Sequence, residues 1–248
     1  MRAHRFFVQE PLATGQAVWL APEQARQARN VLRLRAGDTV ELLDGSGLIA
    51  VARLGHVERD SANAIVEELV ASAALPINLT VGLALLRGDR FEVAIQKLVE
   101  IGASSIVPLA AQHCVVSYAV DREWDRRLTR LQRIAMEAAE QSERSTIPQI
   151  ARPVSVEAFL AKHSGISLAL VERSEAAEQL MTVSFDRDVA VLVGPEGGWS
   201  ERELQTIALG ARTVSLGPLI LRAETAAIVT AGALMQRAWA RNTHQEEG

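Results

Sequence analysis

Two loops near the C-terminal end of the 248-residue sequence gather residue types suited to holding a ligand and stabilising charge. They are Gly194-Pro195-Glu196-Gly197-Gly198 and Gly217-Pro218-Leu219-Ile220-Leu221-Arg222-Ala223-Glu224-Thr225. Three glycines in five residues permit backbone conformations closed to other residues and let a small molecule approach the main chain. A plain strand-to-helix connection needs one glycine, not three and a proline. Arg222 and Glu224 stand just ahead of an alanine-rich helix, whose N-terminus favours an anion by about 0.3–1 kcal/mol. Arg222 there suits an anionic ligand or negative charge developing in a reaction. The alternative is that Arg222 and Glu224 simply pair, worth under about 1 kcal/mol at a surface. Ser200-Glu201-Arg202-Glu203 has the form of a capping box, worth about 1 kcal/mol, which gives Glu203 a structural role. Glu196 lies inside the loop and the cap does not account for it.

Other site chemistries find little support. Gly45-Ser46-Gly47 precedes a strand-like run instead of a helix, so it fails the dinucleotide fingerprint, and no G-x-x-x-x-G-K-[ST] occurs. His4, His56, His113, His163 and His244 are scattered without metal-ligand spacing, so no metal site is expected. The single cysteine, Cys114, excludes an internal disulfide and reads as a small buried hydrophobe.

The elements that must position the two loops follow from β-branching and helical periodicity. Val189–Val193 and Thr213–Leu216 each read as a strand followed by a loop and a helix. Two such units in succession imply parallel strands, with both loops on the edge where open α/β sheets bind ligands. Upstream, Ile77–Leu86, Ser104–Leu109 and Ile166–Val171 read as further strands. Arg90–Ile101, closed by Gly102, and Asp121–Ser142 read as helices. Thr225–Arg241 is the last helix, followed by a polar tail, 242–248, expected to fray. Its small residues suit close packing on its own domain, and equally a second subunit.

Before about Ala74 the pattern is mostly β: Ala17–Leu20, Thr39–Leu43, Leu48–Leu54 and Ala64–Val70, with a hairpin turn at Asp44-Gly45-Ser46-Gly47. Pro22–Leu34 reads as a helix placing Arg26, Arg29 and Arg33 on one face. That face is either a solvated surface or a phosphate-contacting one. Ala71–Pro76 reads as a linker, giving domains 1–74 and 75–248.

The composition, 48% hydrophobic and 23% charged, fits a chain with a substantial core, and the net charge of −4 argues against non-specific coating of nucleic acid. Before Gly37, however, six arginines face two glutamates. No apolar run approaches the roughly 20 residues needed to cross a bilayer, and no signal peptide is evident, so a cytoplasmic protein without membrane partners is expected.

With these residues in hand, the chain closely resembles the 16S rRNA (uracil-N3)-methyltransferases of the SPOUT superfamily over nearly its whole length. The resemblance rests on Leu192–Gly198 and Leu216–Ala226, supported by Arg87–Glu92 running into Ile95-Gln96-Lys97, by Ala138–Arg144 and by Val31-Leu32-Arg33. It implies a PUA-like β-barrel that binds RNA, then an α/β SPOUT domain with a trefoil knot, S-adenosylmethionine as methyl donor, 16S rRNA or the small ribosomal subunit as partner, and a homodimer. Leu192, Gly194, Glu196, Gly197, Gly198, Leu216, Gly217, Leu221 and Thr225 would then hold the cofactor. Arg5, Arg26, Arg29, Arg33 and Arg87 would contact RNA. Arg222 would stabilise the uracil anion and Glu224, with Glu196 second, would take the N3 proton. The chain departs from the family pattern at Leu219, where arginine is common, at Ala223, where threonine is common, and near Gln27, where a histidine is common; Arg222 then carries more of the contact work. The alternatives are a non-catalytic RNA-binding assembly factor and a SPOUT enzyme with another RNA target.

Overall fold

The computed structural model describes residues 4–114, 121–172 and 177–246. Two compact units emerge, Met1–Ala74 with Ala139–Ile147, and Leu75–Ala138 with Pro148–Gly248.

The first unit contains strands β1 (His4–Phe7), β2 (Ala17–Trp19), β3 (Thr39–Leu43), β4 (Leu48–Val57) and β5 (Ala62–Ala71), with a short helix α1 (Pro22–Arg26) after β2. The sheet order is β1-β3-β4-β5-β2, with β1 parallel to β3 and every other pair antiparallel. The β3–β4 connection is the Asp44–Gly47 turn. Alternation sends Ala50, Ala52 and Leu54 of β4 and Ala62, Ala64 and Val66 of β5 inward, where they meet Phe6, Val18 and Leu42 in one core. All five strands feed that single core, so the sheet curls around it, helped by two register shifts between β4 and β5.

The expected helix over 22–34 is cut short. After α1 the chain widens into a π-type turn over Gln27–Val31, with Leu32 N donating to Gln27 O at 3.0 Å. Arg33 then adopts a left-handed conformation, φ 57°. Arg26, Arg29 and Arg33 therefore do not share a regular helical face, because the wider turn shifts their angular spacing and Arg33 lies beyond it. Residues 143–147 also belong with this unit, which the boundary drawn at residue 74 did not foresee. Gly47 N donates to Ser145 O at 3.0 Å, Ser145 Oγ donates to Ser72 Oγ at 2.6 Å, and Ser46 bridges Thr146.

The second unit is a seven-stranded parallel sheet: β6 (Asn78–Ala84), β7 (Ser105–Leu109), β8 (Gln149–Ile150), β9 (Ile166–Leu170), β10 (Glu178–Gln179), β11 (Asp188–Val193) and β12 (Arg212–Ser215). Its order is β10-β12-β9-β11-β6-β7-β8. Helices α2 (Arg90–Ile101), α3 (Asp121–Gln141), α4 (Val156–Lys162), α5 (Glu201–Gly210) and α6 (Ala223–Glu246) complete the order. The near-continuous apolar run of β11 follows from burial on both faces. On one face Phe159 of α4 and Ile207 of α5 pack against Ala190 and Leu192. Helix α6 pairs with α2 and rests on β6 and β11. Gly102 ends α2 at φ 116°, as its composition predicts. The helix α6 extends to Glu246, so residues 242–246 are helical where fraying is expected; 247–248 lie outside the described residues. Among the described residues no helix is long and apolar enough to cross a membrane.

Candidate active site

The C-terminal ends of β9, β11 and β12 are adjacent in the sheet, so the chain leaving each meets the others at one edge. There the two glycine-proline loops and Leu170–Glu172 enclose a cavity of about 950 Å³. That lies in the range of small-molecule sites, roughly 300–1,000 Å³.

Of the residues singled out for the cofactor, Gly194, Glu196, Gly198, Leu216, Gly217 and Leu221 line this cavity, and so does Arg222. Each glycine has its own reason. A Cβ at Gly194 would lie 2.9 Å from the Trp199 ring, so the ring closes over the main chain only because position 194 has none. Gly198 and Gly217 have φ of 72° and 112°, with open space where a side chain would be.

Four positions do not line the cavity. Leu192 is fully buried and its side chain points into the apolar layer under α4 and α5, because alternation along β11 turns it from the loops. Gly197 packs against His113, whose Cβ would be 2.9 Å from an added Cβ. Thr225 is exposed in the first turn of α6. Glu224 is mostly buried, with its side chain 13% exposed.

Glu224 does not pair with Arg222 among the described residues. It faces Arg90, at the start of α2, whose Nε lies 4.0 Å from Glu224 Oε1. The same guanidinium donates from Nη1 to Glu196 Oε1 at 3.2 Å. Arg90 thus stands between the two candidate carboxylates, and Glu224 Oε2 is buried without a hydrogen-bond partner. Arg222 remains exposed.

Three further residues hold the first loop and were not singled out from the sequence. Trp199 Nε1 donates to Leu170 O at 2.9 Å, tying the loop to the end of β9. His113 Nδ1 lies 3.2 Å from both Gly197 O and Gly198 O. Two carbonyl acceptors place a proton on that nitrogen. Gln112 N donates to Glu203 Oε1 at 2.9 Å, while Glu203 Oε2 accepts from Ser200 N at 2.9 Å. The capping box is present, and it extends to the segment after β7. Burial pushes the Cys114 thiol above its ordinary value, and its Sγ contacts Leu109 O at 3.6 Å. No cluster of metal-ligating residues occurs among the described residues.

The arginines expected to meet RNA divide by their partners. Arg5 Nε is 2.6 Å from Glu41 Oε2, and its Nη1 donates to Glu143 O at 2.8 Å. Arg26 is paired with Asp60 at 2.7 Å and Glu23 at 3.1 Å. These two are engaged within the first unit. Arg29, Arg33 and Arg87 are exposed, with no hydrogen bond or ion pair from their side chains among the described residues.

Comparison with known proteins agrees with this arrangement. A family described as an RNA methyltransferase domain matches residues 73–235, and one described as an RNA methyltransferase PUA domain matches residues 20–67. A ribosomal RNA small subunit methyltransferase E from Synechocystis is 33% identical, covering 92% of this chain and 75% of its own. The one from Bacillus subtilis is 30% identical, covering 93% and 95%. The crystal structure of the Neisseria gonorrhoeae enzyme bound to S-adenosyl methionine superposes with a TM-score of 0.78 at 32% identity, covering 95% of this chain and 98% of that one. Matches of that extent, spanning both units and both glycine loops, place the chain in the ribosomal RNA small subunit methyltransferase E family.

Proposed function

We propose that this protein methylates N3 of a uridine in 16S ribosomal RNA, with S-adenosylmethionine as donor. The observation that carries the reading is the cavity at the ends of β9, β11 and β12, walled by two glycine loops in a chain of this family. Its size, its apolar wall of Leu170, Leu216 and Leu221 and its exposed loop backbone fit an adenosyl cofactor. Gly194, Gly198, Leu216, Gly217 and Leu221 would hold it, with Trp199 and Leu170 framing one side. When bound, the cofactor supplies an electrophilic methyl carbon on sulfur, whose bond to carbon breaks onto sulfur as a nucleophile takes the methyl group.

The protein's part is to prepare that nucleophile. Uridine N3 carries a weakly acidic proton and becomes nucleophilic as it is lost, while negative charge spreads to O2 and O4. Arg222, exposed on the cavity wall, is suited to stabilise that charge in advance, the kind of preorganised help that is often the largest catalytic contribution. Of the two carboxylates, Glu196 lines the cavity and is the better placed to take the proton; Glu224 does not line it and lies on the other side of Arg90. Orientation of the reacting atoms contributes up to about 7–11 kcal/mol in addition.

Within this reading the first unit binds RNA through Arg29 and Arg33, with Arg87 contributing from the second. The second unit carries the trefoil knot of the SPOUT fold, the enzyme is a homodimer, and it works in the cytoplasm on rRNA or the small subunit. Exposed Leu219 and Ile220 suit burial against a second copy. The test is incubation of small subunits lacking the modification with labelled S-adenosylmethionine, followed by nucleoside mass spectrometry. Formation of 3-methyluridine is the expected result. Binding to RNA without methyl transfer points to an assembly factor, and a methylated ribose points to a different target atom.

A further inference from the structure

We propose that Arg90 is a positioning residue that sets the Glu196 carboxylate at the cavity wall, and that Glu224 is the anchor of Arg90 and not the proton acceptor itself. This rests on the methyl-transfer reading above and deepens it.

Glu196 sits in the first glycine loop, whose main chain is held by Trp199 and His113. Those contacts fix the backbone and not the carboxylate, which needs an element outside the loop to orient it. Arg90 is that element, with Nη1 3.2 Å from Glu196 Oε1. Arg90 is rooted in the first turn of α2, whose Phe91, Ala94 and Ile95 are fully buried. Its guanidinium is a planar fork able to serve two carboxylates at once, a task a lysine ammonium performs less well. The second carboxylate is Glu224, in the first turn of α6, with Oε1 4.0 Å from Arg90 Nε. Because α2 and α6 pack together, this ion pair ties the guanidinium to the second helix while Nη1 reaches the loop. Glu224 lies outside the cavity lining, whereas Glu196 is on it.

In the step this arrangement serves, the N3–H proton of uridine passes to a Glu196 carboxylate oxygen. The N3 electron pair forms the new bond to the methyl carbon, and the carbon–sulfur pair stays on sulfur. Arg90 exchanges no proton.

The experiment compares wild type with Arg90→Gln, Arg90→Lys and Glu224→Gln. It measures kcat and KM for RNA across neutral to alkaline pH, S-adenosylhomocysteine affinity by calorimetry, and thermal melting. A misplaced base costs about 100-fold in kcat near neutrality, the order that general-base catalysis contributes. In Arg90→Gln the deficit should shrink in alkali, where uridine N3 loses its proton unaided, and S-adenosylhomocysteine affinity should change less than kcat. Arg90→Lys should recover part of the loss, and Glu224→Gln should show the same pH-dependent deficit in weaker form. A wild-type pH profile in Arg90→Gln overturns the proposal, as does a deficit of the same size at every pH. If Arg90→Gln does not fold, the profile of Arg90→Lys decides on the same criterion. Wild type forming no 3-methyluridine at any pH removes the reaction itself; an active wild type with an unaltered Arg90→Gln removes only the role of Arg90.

Discussion

Replacing Gly194 by alanine tests whether the first loop is a moulded wall of the cavity or only a connection. An alanine Cβ there lies 2.9, 3.2 and 3.2 Å from three atoms of the Trp199 indole. Carbon atoms rest at about 3.5–4.0 Å, so the ring must retreat by roughly half an ångström or more. It is not free to do so, since its Nε1 is bonded to Leu170 O at 2.9 Å. Overpacking costs about 1–3 kcal/mol, and a hydrogen bond broken by the retreat adds about 0.5–1.5 kcal/mol. A total near 2–3 kcal/mol lowers the melting temperature by about 4–12 °C in a protein of this size. Because Gly194, Trp199 and Leu170 all line the cavity, S-adenosylmethionine affinity should fall by about tenfold, equivalent to roughly 1.4 kcal/mol. Differential scanning calorimetry and titration calorimetry read the two effects. Gly198→Ala is the comparison for packing: no protein atom lies within 4 Å of its added Cβ, so within the protein only the left-handed backbone is strained, by about 1–2 kcal/mol. Wild-type melting and affinity in Gly194→Ala would refute the reasoning.

Four further outcomes are expected. Ser200→Ala removes the α5 cap and should cost about 1 kcal/mol, lowering the melting temperature by about 2–4 °C; no shift on heating would deny the cap its role. Arg5→Ala should destabilise the protein by about 1–3 kcal/mol, since its partners are part-buried. Arg29→Ala should leave melting within about 0.5 kcal/mol yet make RNA binding less salt-dependent by about one unit of slope; the opposite pattern in melts and salt-series binding would reverse their assignments. Burial raises the Cys114 thiol, which keeps the thiolate scarce at neutral pH, so iodoacetamide should label it slowly and faster as pH rises. Rapid labelling at pH 7, followed by mass spectrometry, would contradict that environment.

Local pattern reading located the elements well because their signals are local. β3 and α2 match their expected spans, and the capping box at Ser200 is as its spacing indicates. The cavity was legible for a similar reason, as loops following parallel strands meet at one edge. The carboxylate assignment was not. Arg222 and Glu224 look like partners because they are close in sequence, but residues two apart at a helix start do not face each other. The partner of both Glu196 and Glu224 is Arg90, over 100 residues upstream, which no local pattern reveals. Leu192 looked like part of the loop motif although strand alternation turns it away. The arginine face failed because a π-type turn has no clear sequence signature distinguishing it from an α-turn.

The return of residues 143–147 to the β-rich first unit has a consequence for synthesis on the ribosome. The last strand of that unit ends at Ala71, yet the segment that bonds Gly47 and Ser72 ends at Ile147. At about 5–20 residues per second, roughly 4–15 s separate the emergence of the two. Through that interval the nascent sheet waits with its Gly45–Gly47 turn unbraced, while β6, α2 and β7 of the second unit are already emerging. The first unit is therefore completed only after part of the second has emerged.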